Sequence, residues 1–79
     1  MDDYRPISCE FHDVLESLAT RRRRAVVVYQ ADDGTTQQTD ATLADLFGRG
    51  GIEYVVLDSG QQIRLDRLVS VDGVRLADF

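Results

Sequence analysis

The chain has no lysine and no tryptophan, and only one cysteine, one proline and one histidine. Each shortage removes a class of function. A lone cysteine, Cys9, cannot form an internal disulfide, which excludes the stapled scaffold of small secreted domains. Cys9 and His12 have Cys-x-x-His spacing, but no second thiol or imidazole exists to complete a four-ligand zinc site. No metal and no cofactor are therefore expected, and Cys9 reads as a small buried hydrophobe at the start of a helix. Without lysine the phosphate-loop pattern is missing, so Gly48-x-Gly50-Gly51 reads as a turn. One histidine and no paired nucleophile and base give no enzyme signal. No apolar run approaches the roughly 20 residues of a membrane span. Asp2 and Asp3 stand where a secretory leader carries basic residues, so a cytoplasmic protein is expected.

Positive charge is also scarce. Fourteen acidic residues against nine arginines leave a formal net charge of −5. Phosphate binding rests on clustered positive charge, so direct nucleic-acid contact is not expected on average. A basic surface is the better match, approached with electrostatic steering.

What is present is patterned for a single domain over residues 1–79, with 43% hydrophobic residues. Phe11, Val14, Leu15, Leu18 and Ala19 form one helical stripe, predicting an amphipathic helix from about Cys9 to Arg21 with Ser8 as N-cap. Glu10, Asp13 and Glu16 flank that stripe toward solvent, and Arg21 to Arg24 follow at the end the helix dipole favours for cations.

Ala25 to Gln30 is β-branched and apolar on both faces, which predicts a central strand. Asp32-Asp33-Gly34 closes a hairpin onto Thr35 to Ala41, a polar strand expected near an edge. Thr42 to Phe47 is ambiguous between a helical turn and a strand running into a bend, and Gly48 to Gly51 reads as a flexible connection. Ile52 to Leu57 and the residues after Gly60 form a second hairpin. Its first strand is apolar on both faces, which demands a barrel or sandwich around it. Leu65 to Leu68 breaks the alternation and reads as a sharp corner, with Asp66 in an ion pair or cap beside Arg64 and Arg67. Val69 to Val71 is a short last strand, and Asp72-Gly73 leads into a terminal extension, Val74 to Leu76.

A helix followed by five short, strongly bent strands is the layout of a helix-capped Sm-like antiparallel barrel, mainly β. The sequence resembles a particular family, the Rho-binding antiterminators called Rof or YaeO. The resemblance rests on Tyr4-x-Pro6-Ile7-x-Cys9, Asp13-x-Leu15-Glu16 and Asp33-Gly34, followed by Ala41. It continues through Asp45-Leu46-x-x-Arg49-x-x-x-Glu53-Tyr54 and Arg64-Leu65-Asp66-Arg67-Leu68-x-Ser70. Arg21 to Arg24 depart from the family, whose helix usually ends in a less basic segment.

The resemblance implies a monomeric inhibitor of Rho-dependent transcription termination that binds the N-terminal RNA-binding domain of Rho and obstructs its primary RNA site. It also implies that the acidic helix belongs to the contact surface. Glu10, Asp13 and Glu16 are then the candidate partner-binding residues, with Asp2 and Asp3 as an extension and His12, expected exposed, beside Asp13. Against this stands the reading of the same carboxylates as a solvated helix face. The competing function is an Sm-like RNA-binding module that uses Arg21 to Arg24.

Overall fold

A computed structural model of the protein describes residues 6–79. Asp2, Asp3 and Tyr4 lie outside the described residues. The helix α1 spans Cys9–Arg21. Ser8 caps its start in an extended conformation, its Oγ accepting a hydrogen bond from the Phe11 N–H at 3.1 Å. Its end is closed by Arg22 in the left-handed region at φ 52°, where the Arg22 and Arg23 N–H groups return to the carbonyls of Ala19 and Leu18. The predicted stripe is the buried one: Phe11, Leu15 and Leu18 are in the core, with Val14 and Ala19 half-buried beside them.

Six antiparallel strands follow: β1 (Arg24–Gln30), β2 (Thr36–Arg49), β3 (Ile52–Leu57), β4 (Gln62–Arg64), β5 (Leu68–Val71) and β6 (Val74–Arg75). They hydrogen-bond in the order β4-β3-β2-β1-β5-β6. The five strands expected are thus six, because the extension after Asp72-Gly73 folds back on β5, pairing Val71 with Val74. Asp72 and Gly73 both take positive φ, 53° and 81°, as a two-residue hairpin turn of this hand requires.

The 14-residue β2 organises the sheet. Its first half pairs with β1 from Thr36 to Thr42, and its second half pairs with β3 from Leu43 to Arg49. The register shifts between Leu43 and Asp45, a bulge that bends the strand and lets one segment serve two differently oriented parts of the sheet. Two expectations are corrected here. The Thr-rich segment opens an interior strand of the sheet order rather than an edge strand, and Gly48 and Arg49 continue that strand rather than forming a loose connection.

The corner expected at Leu65 to Leu68 is a one-turn 3-10 helix, Leu65–Arg67, joining β4 directly to β5. These two strands have β3, β2 and β1 between them in the sheet. Four strand spacings of about 4.8 Å would separate them by roughly 19 Å in a flat sheet. The four steps from Arg64 to Leu68 reach at most about 14 Å fully extended, and less through a 3-10 turn. The sheet must therefore curl strongly. It is not a closed barrel, because β4 and β6 are the outer strands of the hydrogen-bonded order. Inside the curl sit Ala25, Val27, Ala41, Leu43, Val55, Leu57, Ile63, Leu65, Leu68 and Val71, against Phe11, Leu15 and Leu18 of α1. No polar or charged side chain is buried among the described residues, so this core carries no desolvation cost of that kind.

β3 is only partly as expected. Val55 and Leu57 are buried, whereas Ile52, Tyr54 and Val56 on the other face are half-buried. That second face is open rather than enclosed.

Candidate functional site

The first turns of α1 carry Glu10, Asp13 and Glu16, all exposed as expected. Asp13 and Glu16 are one turn apart, so they share a side of the helix. His12 stands beside them but is not exposed as anticipated: its side chain is 27% accessible. Its two ring nitrogens face carboxylates, one on its own helix and one on β3. His12 Nδ1 donates to Glu16 Oε1 at 2.8 Å, the i,i+4 partner, while Nε2 faces Glu53 Oε1 at 3.9 Å.

Glu53, part of the motif that carries the family resemblance, comes from β3. Alternation along β3 puts Glu53 on the same face as Val55 and Leu57, the face that packs toward α1. The structure therefore gathers three carboxylates, Asp13, Glu16 and Glu53, around one imidazole from two elements far apart in sequence, with Glu10 exposed elsewhere on the same helix. The signal available in the sequence was the two-residue period of β3. Its contact with α1 is non-local, and no local pattern reports it.

A shallow cavity of about 270 Å³ opens here, lined by Ile7, Cys9, His12, Asp13 and Glu53. Cys9 is exposed at its rim, which corrects the expectation of a buried thiol. Geometry explains the error: Cys9 lies two residues, about 200°, from Phe11, and so on the opposite side of the helix from the core stripe. The ligand atoms of His12, Asp13 and Glu16 fall within 4.8 Å of one another, the closest approach among them being the His12–Glu16 hydrogen bond. The exposed carboxylates gain little stability from such contacts, because solvent and salt screen them. What they supply is a concentrated negative potential on one side of a small domain.

The competing arginine run does not form one surface. Arg21 ends α1, Arg22 is its left-handed cap, and Arg24 opens β1, where its Nη2 donates to the Asp40 carbonyl at 3.3 Å. All four arginines are exposed, but they are spread over a helix end, a cap and a strand start. Asp66 is placed as expected: Arg64 Nε and Nη2 donate to its two carboxylate oxygens at 3.0 and 2.7 Å. The pair braces the 3-10 corner, so the Arg-Leu-Asp-Arg-Leu motif is accounted for by the turn it builds.

No family model matches the chain. Among curated proteins, Protein rof of Escherichia coli (strain K12) is 31% identical over 72 residues, covering 87% of this chain and 81% of that protein. Protein rof of Shigella flexneri matches with the same identity and coverage. An alignment of that extent takes in both α1 and the curled sheet, and on it the chain belongs to the Rof family.

Proposed function

We propose that this protein is a non-catalytic, cytoplasmic inhibitor of Rho-dependent transcription termination. In this reading it binds as a monomer to the N-terminal RNA-binding domain of Rho and obstructs the primary RNA site. The observation that carries the proposal is the group of carboxylates that α1 and β3 collect around His12. A surface built to take up RNA phosphates presents Arg and Lys, and carboxylates satisfy such groups with charge-assisted hydrogen bonds. Membership of the Rof family supplies the choice of partner. Glu10, His12, Asp13 and Glu16 are the proposed contact residues, joined by Glu53; Asp2 and Asp3 extend the surface in sequence.

We read the fold as Sm-like. Support comes from the bulged β2 shared between two parts of the sheet and from the 3-10 turn that carries the chain from β4 to β5. β6 is then an addition to a five-stranded Sm-like unit.

The test is a pull-down with purified Rho, with and without competing RNA. Retention that falls as RNA is added supports the proposal. No retention rejects Rho as the partner, and retention indifferent to RNA rejects the RNA site as the place of binding.

A further inference from the structure

We infer that the face of α1 turned toward β3 is a binding site for a divalent transition-metal ion of the zinc type, held by His12, Asp13 and Glu16. The site concerns the free chain and stands whether or not Rho is the partner.

The helix sets the donors side by side. Cys9, His12, Asp13 and Glu16 occupy the i, i+3, i+4 and i+7 positions of one helical face, and all four are metal-ligating residue types. One donor atom each from His12, Asp13 and Glu16 lies within 4.8 Å of the others, and His12 Nδ1 is already 2.8 Å from Glu16 Oε1. Donors bonded at roughly 2.0–2.2 Å to a tetrahedral ion stand about 3.4 Å apart. Turning the two exposed carboxylates about their side-chain bonds closes the set without moving the helix. The expectation of no metal rested on the missing second thiol or imidazole, and the carboxylates of this face take their place.

A second element separates this group from an ordinary patch of surface carboxylates. β3 brings Glu53 Oε1 to 3.9 Å from His12 Nε2. A ligating imidazole usually gives its other N–H to a carboxylate, which fixes the ring and raises the basicity of the ligating nitrogen. Before the ion enters, Nδ1 carries the proton and donates it to Glu16. With the ion on Nδ1 the ring stays neutral, its proton exchanged through water to Nε2 and directed at Glu53. The ring is half-buried, so its orientation is set in advance. The cavity of about 270 Å³ beside His12, Asp13 and Glu53 gives the ion an approach and leaves its fourth position open to solvent.

The donor set selects the ion. Two carboxylates balance a dication, and one imidazole among them suits Zn²⁺. Mg²⁺ demands near-octahedral oxygen ligands and sheds its water reluctantly, so the imidazole disfavours it. Cys9 falls outside the group of three donor atoms, so its thiol is not a ligand.

The test is titration calorimetry of the full chain with Zn²⁺ in a non-chelating buffer, beside ¹⁵N NMR of the His12 ring. The wild type should bind one Zn²⁺, and Mg²⁺ should bind at least about tenfold more weakly. His12→Gln should weaken Zn²⁺ binding at least about tenfold, with the exposed Glu16→Gln as the second variant if His12→Gln does not fold. Glu53→Gln should weaken it about tenfold. The exposed Asp58→Asn, which removes the same charge elsewhere, and Cys9→Ser should both bind like wild type. In the zinc-bound chain the ring should carry its proton on Nε2. The proposal is overturned if Zn²⁺ does not bind, if Mg²⁺ binds equally well, or if the metal sits on Nε2. It is overturned too if His12→Gln and Glu16→Gln bind like wild type, or if Cys9→Ser abolishes binding.

Discussion

Replacing Asp66 by alanine tests whether the Arg-Leu-Asp-Arg-Leu motif is a structural brace. The Arg64 and Asp66 side chains are 18% and 12% exposed and joined by two hydrogen bonds of 3.0 and 2.7 Å. A fully exposed pair contributes about 0–1 kcal/mol, whereas truncating one partner of a buried pair costs about 3–5 kcal/mol. An intermediate burial points to about 2 kcal/mol for Asp66→Ala. A domain of this length has a stability of roughly 4–12 kcal/mol, so the loss is a large part of the whole. Urea unfolding followed by circular dichroism measures it. Both residues make further contacts, so a double-mutant cycle with Arg64→Met is needed to isolate the pair. The coupling energy should be about 1–2 kcal/mol. A cost below about 0.5 kcal/mol with zero coupling would show that the corner stands without the pair.

Three further outcomes follow from local geometry. Ser8→Ala should cost about 1 kcal/mol in the same unfolding assay, since the Phe11 N–H loses its cap at the start of the proposed binding helix. Arg22→Gly should stabilise the fold by roughly 0.5–1 kcal/mol, because Arg22 holds a positive φ that glycine adopts without strain; equal or lower stability would count against a strained cap. Asp33 accepts from the Thr35 hydroxyl at 2.6 Å and from the Thr35 N–H at 3.0 Å, which hold its carboxyl below the ordinary Asp value. Its stabilising contribution is therefore present above the unfolded-state value and disappears as pH falls through the lowered one. An NMR titration should find Asp33 titrating below the ordinary Asp range, and Thr35→Val should move it upward.

How much could be read in advance depended on whether the signal was local. The helix was legible because Phe11, Leu15 and Leu18 repeat at its period and Ser8 marks its start. The corner was legible because Arg67 could not continue the strand alternation into the core. Leu43 to Phe47 resisted reading for a definite reason. The bulge at Ala44 adds a residue to the strand, so Leu43 and Leu46, both packed on the core, fall three apart and imitate a helical period. The sixth strand escaped because two residues of β6 carry no periodicity of their own; the signal was the Asp72-Gly73 turn, which was seen but not followed back to β5. In the candidate site, the carboxylates of α1 were legible as an exposed flank. The half-burial of His12 and the arrival of Glu53 were not, because both come from packing between α1 and β3.

The central claim is that the acidic surface of α1 is the contact with Rho. Titration calorimetry of the double reversal Asp13→Lys/Glu16→Lys against the N-terminal domain of Rho addresses it most directly. Charge pairs at such an interface carry about 2–5 kcal/mol each when one partner is removed, so the affinity should fall by about a hundredfold or more. Both side chains are exposed, so the circular dichroism spectrum should match that of the wild type. Unchanged affinity in a folded double variant would contradict the account and move the contact off this face of the helix.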